Sequence, residues 1–253
     1  MKAGAERLLD PVQFVGSNCR VFVDTNVFME TRPRYTGGLK ALFERCSEAI
    51  QRNNNPVVVP TKVQDELRVN KRKLRTSRPE SAAKAANALV FLRSASEAGL
   101  VRTSLGDDSN PYADDLFLDL FERFATTYDM CLLTFDITPK LRVRLLARRT
   151  GGHLVAGHPT KTGDVAVESD ELLFRKGQQK LAGLIAKGGD PRDVQELEKV
   201  LAQFEQEFGL GRRSDRSTGA RPDGPDRGTP IRGPRPFSAI ASIQPHDSAL
   251  AFT

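Results

Sequence analysis

The chain has 253 residues, 39% of them hydrophobic, which is enough for one medium domain with a core plus additional material. The formal net charge of +6 favours a polyanionic partner, but weakly. Cys19, Cys46 and Cys131 stand far apart without a CxxC spacing, which argues against a disulfide framework or a zinc knuckle and predicts buried thiols.

The opening MKAGAERLLDPVQ lacks a long apolar core, and no stretch of the chain reaches about 18 apolar residues. The expectation is a soluble cytoplasmic protein with no membrane contact. Residues 19–29, CRVFVDTNVFM, predict a buried strand rich in Val and Phe. That strand carries Asp24, Thr25 and Asn26 in its middle. A buried charge costs several kcal/mol unless it is paired or bound to a cation. Asp24 therefore belongs at the open end of a strand or beside a positive charge.

Residues 39–51, LKALFERCSEAIQ, have helical periodicity, with Leu39, Leu42, Phe43, Cys46 and Ile50 on one side. NNNPVVVP reads as a turn, a short strand at 57–59 and a proline stop, after which Thr61 can cap the helix TKVQDELRVNKRKLR. An Ala-rich helix is predicted over 81–98, a short strand over 100–103 and a loop at GDDSNP. Asp114 or Asp115 opens the helix DLFLDLFERFATTY. A strand follows at 130–135, MCLLTF, then a helix, PKLRVRLLARR, and a last strand in GGHLVAG.

Alternating strands and helices predict an α/β fold with a mainly parallel central sheet. Ligands of such sheets lie beyond the carboxyl ends of the strands, which puts Asp24 and Asp136 at one edge. The domain is expected to span 18–157. A helical extension follows over 158–210, its helix started by Asp190 and Pro191. The Arg/Gly/Pro-rich 211–253 has little to bury and is expected to be a disordered tail. His153, His158 and His246 sit beside no nucleophile motif and read as loop histidines.

Acidic residues recur beside predicted strand ends and helix starts: Asp24, Glu66, Asp114 with Asp115, and Asp136. Singly, each is an ordinary cap, turn or surface residue. Together they form a set of hard oxygen donors of the type that binds Mg²⁺ or Mn²⁺. No GxxxxGK[ST] or GxGxxG is present, and Asn26 stands where a haloacid-dehalogenase-type phosphatase needs its second Asp.

In order, VFVDTNVFM, VPTKVQDEL, YADDLFLDLF and LLTFD resemble the four motifs of the PIN-domain nucleases, over roughly residues 20–155. The resemblance implies a three-layer α/β/α fold and a metal-dependent nuclease, a ribonuclease rather than a DNA-directed enzyme. It implies Asp24, Glu66, Asp114 and Asp136 as catalytic, metal-binding acids, and Thr25, Asn26 and Thr134 as the polar residues that hold them. Two aspartates fill the third motif, so Asp115 is also a candidate ligand. Asp114 is favoured because it follows Tyr-Ala directly, and Asp119 is a lesser candidate. Relatives dimerise, and some pair with a protein antitoxin. The alternatives are a PIN-like module that binds nucleic acid or scaffolds without cutting, and a DNA-directed nuclease.

Two basic stretches lie just downstream of these acids. One carries Arg68, Lys71, Arg72, Lys73, Arg75 and Arg78; the other carries Lys140, Arg142, Arg144, Arg148 and Arg149. Cations flanking a metal site suit a phosphate-backbone track, so nucleic acid is the expected partner, and the resemblance implies RNA.

Overall fold

Val21, Phe22 and Val23, and all of 130–133, are buried, as happens only where helices cover both faces of a sheet. The computed structural model describes residues 6–15, 19–103 and 113–210, with Ala113 and Asp114 described by their backbone alone. The expected GDDSNP loop, the tail 211–253 and His246 lie outside the described residues. Five parallel strands form the centre: β2 (Arg20–Val23), β3 (Val57–Val58), β4 (Val101–Arg102), β5 (Met130–Leu133) and β6 (Leu154–Pro159). Two antiparallel strands, β1 (Arg7–Leu9) and β7 (Val165–Val167), extend the β6 edge, so the described residues make one seven-stranded sheet ordered β1-β7-β6-β5-β2-β3-β4.

The helices alternate with these strands. They are α1 (Pro11–Val15), α2 (Thr25–Phe28), α3 (Gly38–Asn53), α4 (Thr61–Lys73), α5 (Pro79–Glu97), α6 (Ala113–Phe124) and α7 (Ile137–Thr150), followed by α8 (Asp170–Ala186) and α9 (Pro191–Phe208). From β2 the chain moves outward to β3 and β4; from β5 it moves the other way, to β6. Right-handed crossovers then place α3 and α5 over one face, and α6 and α7 over the other. Phe43 of α3 meets Phe91 of α5 edge-on, with ring centres 5.2 Å apart. On the opposite side, Phe22 packs against Phe121 of α6 at 5.3 Å and Phe117 at 6.3 Å.

An α/β fold with a mainly parallel sheet is therefore present. The sheet runs on beyond the expected limit at residue 157, because β6 pairs with β7 and β7 with β1. Three residues, Val-Ala-Val, carry too little pattern to be legible as a strand; the edge of β6 provides the hydrogen bonds that make them one. Beyond it lie two helices where one was expected. Leu141 and Leu145 of α7 bury against Leu173 of α8 and Leu197, Val200, Leu201 and Phe204 of α9, so α7 is covered on its outer side as well as by the sheet.

Caps set the helix limits. Asp136 accepts a hydrogen bond from the Thr138 amide at 3.0 Å and opens α7, and Asp190 accepts one from the Arg192 amide at 2.9 Å and opens α9, as its Asp-Pro start predicts. Thr61 does not cap α4. It is already helical, with Pro60 before it, and its hydroxyl donates to the Thr103 carbonyl at 3.0 Å. Cys19, Cys46 and Cys131 are buried, and burial pushes the Cys131 thiol up to about 12 and the Cys46 thiol to about 11. Among the described residues no helix is long and apolar enough to cross a membrane.

Gly157 lies where β6 pairs with both β5 and β7. A Cβ there would stand 2.6 Å from the Ala166 carbonyl oxygen and 2.8 Å from Val165 Cγ1. Gly157→Ala is expected to destabilise the protein by about 1–3 kcal/mol through overpacking. Gly183→Ala, in open space on α8, is expected to stabilise it by about 0.5–1 kcal/mol. Denaturant midpoints of the two variants check this contrast.

Candidate functional site at the ends of β2 and β5

In open α/β sheets a crevice forms where neighbouring strands send the chain in opposite directions. Here that point lies between β2 and β5, whose last residues, Val23 and Leu133, are paired. Asp24 and Thr134 are the first residues beyond. The Asp24 amide donates to the Leu133 carbonyl at 3.0 Å, and the Thr134 amide donates to the Gly157 carbonyl at 2.8 Å. Asp24 is 4% exposed and Thr134 is wholly buried.

One hydroxyl ties the two strand ends together. Thr134 Oγ1 donates to Asp24 Oδ2 at 2.7 Å. The same oxygen accepts from Asn26 Nδ2 at 2.9 Å and from the Asp136 amide at 3.0 Å, which uses its single donor and both lone pairs. Asn26 closes the web: its Nδ2 also donates to Asp24 Oδ2, and its Oδ1 accepts from the Phe135 amide at 2.8 Å. Both donors on Asp24 Oδ2 are neutral, so they orient the carboxylate without neutralising it. Thr25 Oγ1 donates to Glu66 Oε2 at 2.5 Å, drawing the α4 carboxylate to the end of β2. Asp24, Thr25, Asn26, Glu66, Thr134 and Asp136 thus belong to one connected cluster.

Asp136 has a cation partner. Lys180 Nζ of α8 donates to Asp136 Oδ1 at 2.6 Å and to Thr138 Oγ1 at 3.0 Å. An open concavity of about 460 Å³ lies above, lined by Asn26, Arg32, Phe135, Asp136 and Lys180. Sequence reasoning missed Lys180, because α8 fell in the expected extension, and missed Arg32, which only the turn after α2 brings over the site.

Other expected site residues lie elsewhere. Asp115 faces α7, with its carboxylate 3.3 Å from the Arg142 guanidinium. Asp119, one turn on, borders the same groove, between α6, α7 and α9. The Asp114 side chain lies outside the described residues. Arg68, Lys71, Arg72, Lys73 and Arg75 are exposed at the end of α4, Arg68 within 2.6 Å of Asp65.

The second basic stretch divides: Arg148 and Arg149 are exposed, and its other three residues are held within the fold. Arg142 also pairs with Glu196 of α9, and Arg144 lies 3.1 Å from Asp170 of α8. Lys140 is 2% exposed and cannot reach a phosphate. Its ammonium donates to Glu168 at 2.9 and 3.0 Å and lies 3.0 Å from His158 Nδ1. The outer helices supply the partners of Arg142 and Arg144, whereas Lys140 is buried against β6 and the segment between β7 and α8.

His158 is likewise no loop residue: it is 2% exposed within β6. Burial, with Lys140 beside it, brings its imidazole down to about 4. Burial pulls the Glu168 carboxyl upward, but the Lys140 ammonium outweighs this and holds it at about 2. Lys176 adds a second ammonium 3.0 Å from Glu168.

A divalent cation of the kind the motifs imply wants carboxylate oxygens. Asp24, oriented by neutral donors, and Glu66, held close by Thr25, fit that chemistry. Asp136 fits it less well, since its Oδ1 already serves the α7 cap and Lys180. Among the described residues, no three or more His, Cys, Asp or Glu side chains are grouped closely enough to hold a metal ion.

His158 stays neutral in the folded protein from its ordinary 6.5 down to about 4, while the unfolded chain takes up a proton there. Stability is therefore expected to fall with pH through that window, by up to about 1.4 kcal/mol per unit. Glu168, held at about 2 against an ordinary 4.5, extends the loss to lower pH. In thermal melts across pH 4–7, His158→Gln should flatten the upper part of this dependence.

Comparison of the chain with protein-family models, with curated proteins and with solved structures returned no match.

Proposed function

We propose that this protein is a divalent-metal-dependent nuclease of the PIN-domain kind, acting on RNA. The observation that carries this reading is the buried Asp24 carboxylate at the β2–β5 crossover point, clamped at Oδ2 by Thr134 and Asn26. A buried carboxylate held in one orientation at a strand end is the kind of hard oxygen donor that a divalent cation takes. Its motif order, DTN then Glu66 then Thr-x-Asp, is the order that resembles PIN-domain nucleases.

In this reading Asp24 and Glu66, with Asp114 as the resemblance implies, would hold a Mg²⁺ or Mn²⁺ ion, which would supply an acidified water and positive charge beside the phosphate. Thr134, Asn26 and Thr25 hold the acids in place before the substrate arrives. Asp136 keeps the Lys180 ammonium at the mouth of the site, where it and Arg32 meet phosphate oxygens. The exposed cations at the end of α4 hold the strand further along.

The pair Asp136–Lys180 favours one second reading. A carboxylate with its own ammonium needs no metal, and a site that binds phosphates without cutting them would look the same there. Cleavage decides between the two. Wild type is expected to cut a panel of labelled single-stranded and structured RNAs with Mn²⁺ or Mg²⁺ and to leave DNA strands intact. Asp24→Asn should lower the rate about a hundredfold or more without changing the melting profile much. RNA binding without any cleavage would favour the binding module, and cutting of DNA alone would make this a DNA nuclease. Separately, Lys180→Met is expected to weaken RNA binding uniformly across sequences and to reduce the salt slope of the affinity by about 1.

A further inference from the structure

Phe135 has a pocket on each side. One is the charged concavity over Asp136 and Lys180; the other is a smaller, largely apolar pocket of about 280 Å³. Glu30 and Phe135 line both, so the two share a wall. The far wall of the smaller pocket is one face of α5, where Lys84, Asn87, Ala88 and Phe91 follow the three-and-four spacing of a helical stripe. Its rim carries the Tyr35 ring, 4.9 Å from the Phe135 ring and tilted by 48°.

We propose that this pocket takes one unstacked nucleobase of a single-stranded nucleic acid, an inference resting on the nuclease reading of the adjoining site. Its volume falls just below the range of about 300–1,000 Å³ that holds drug-sized ligands, so it suits a single flat ring system. Aromatic side chains supply stacking surface, which every base can use. Asn87 is exposed at the pocket and brings an amide that can both donate to and accept from a base edge.

Cations suit the attached backbone. The Arg32 guanidinium lies 4.8 Å from both the Tyr35 and Phe135 ring centres, at the boundary between the two pockets. Lys84 Nζ is held by the Glu30 carbonyl at 2.8 Å, on the base side. A base in the smaller pocket therefore leaves its phosphate toward Arg32 and Lys180. A paired base cannot enter, because its edge and both faces are occupied within the duplex. The wall is also firm: buried His158 packs against Tyr35 at 4.9 Å and Phe135 at 5.1 Å.

The test uses the full chain without divalent cations, so that binding is read apart from cleavage. The probe is the shortest single-stranded RNA that binds, in which each base in turn is deleted to leave an abasic sugar. Fluorescence anisotropy reports Kd. One abasic position is expected to weaken binding about tenfold, with the others nearly neutral. That sensitivity should vanish in Phe91→Ala and in Asn87→Ala; the second changes an exposed residue and keeps the test valid if loss of Phe91 unsettles the fold. Equal losses at every position, or a sensitive position that persists in both variants, overturn the pocket. The cleavage assay with Asp24→Asn reads the nuclease proposal independently. A sensitive position without cleavage sinks the nuclease and keeps the pocket, and cleavage without a sensitive position does the reverse. An RNA that does not bind at all removes both.

Discussion

The hydrogen bond from Thr134 to Asp24 is the constraint on which the site depends. It joins the ends of two adjacent parallel strands at the one place where the sheet's crossovers diverge. A carboxylate there is costly to bury, so the residues around it are chosen to hold it. Thr134 has one proton to give and gives it to Asp24. The remaining valences of that hydroxyl take Asn26 and the Asp136 amide, which fixes the start of α7. Removing the hydroxyl would leave several polar groups without their partner at once, and such networks lose more than one bond's worth of stability.

A second constraint comes from the outer helices. Because α8 and α9 cover α7, a helix whose sequence looks like an exposed basic surface becomes a buried connector. Lys140 can be there only because Glu168 faces it, and Lys176 pairs with the same carboxylate. A buried ion pair of this kind is weak evidence of added stability, since desolvation of both ions offsets their attraction. Its effect is positional: it ties α7 to the segment between β7 and α8 and holds His158 behind the aromatic wall of Phe135 and Tyr35. The same outer layer delivers Lys180 to Asp136. The expected extension is thereby part of the site.

The legible parts of the fold are those with local causes. Short apolar runs reveal β5 and the start of β2, and amphipathic spacing reveals α3; the strand expected over 19–29 stops at Val23, because Asp24 opens the helix α2 over Thr25–Phe28. Asp190 and Pro191 reveal the start of α9, because capping and proline geometry act within one turn. The acids Asp24 and Asp136, with Thr25, Asn26 and Thr134, are legible as stations because they stand at strand ends and helix starts; Glu66 lies in the second turn of α4 and is legible only by its place in the motif order. Not legible were β1 and β7, which are too short to carry a pattern and exist by pairing with an edge, and α8, whose apolar residues match a surface that α7 and α9 provide together.

What the sequence determined by itself is therefore the alternation of elements and the residue types at the strand ends, because propensity, periodicity and capping act over a few residues. Tertiary structure decided which of those residues meet. Strand order placed Asp24 beside Thr134 across 110 residues. Helix packing turned Asp115 toward Arg142, buried Lys140 and brought Lys180 and Arg32 to the site. Such contacts depend on which faces of distant elements are covered, and no local pattern in the chain encodes that.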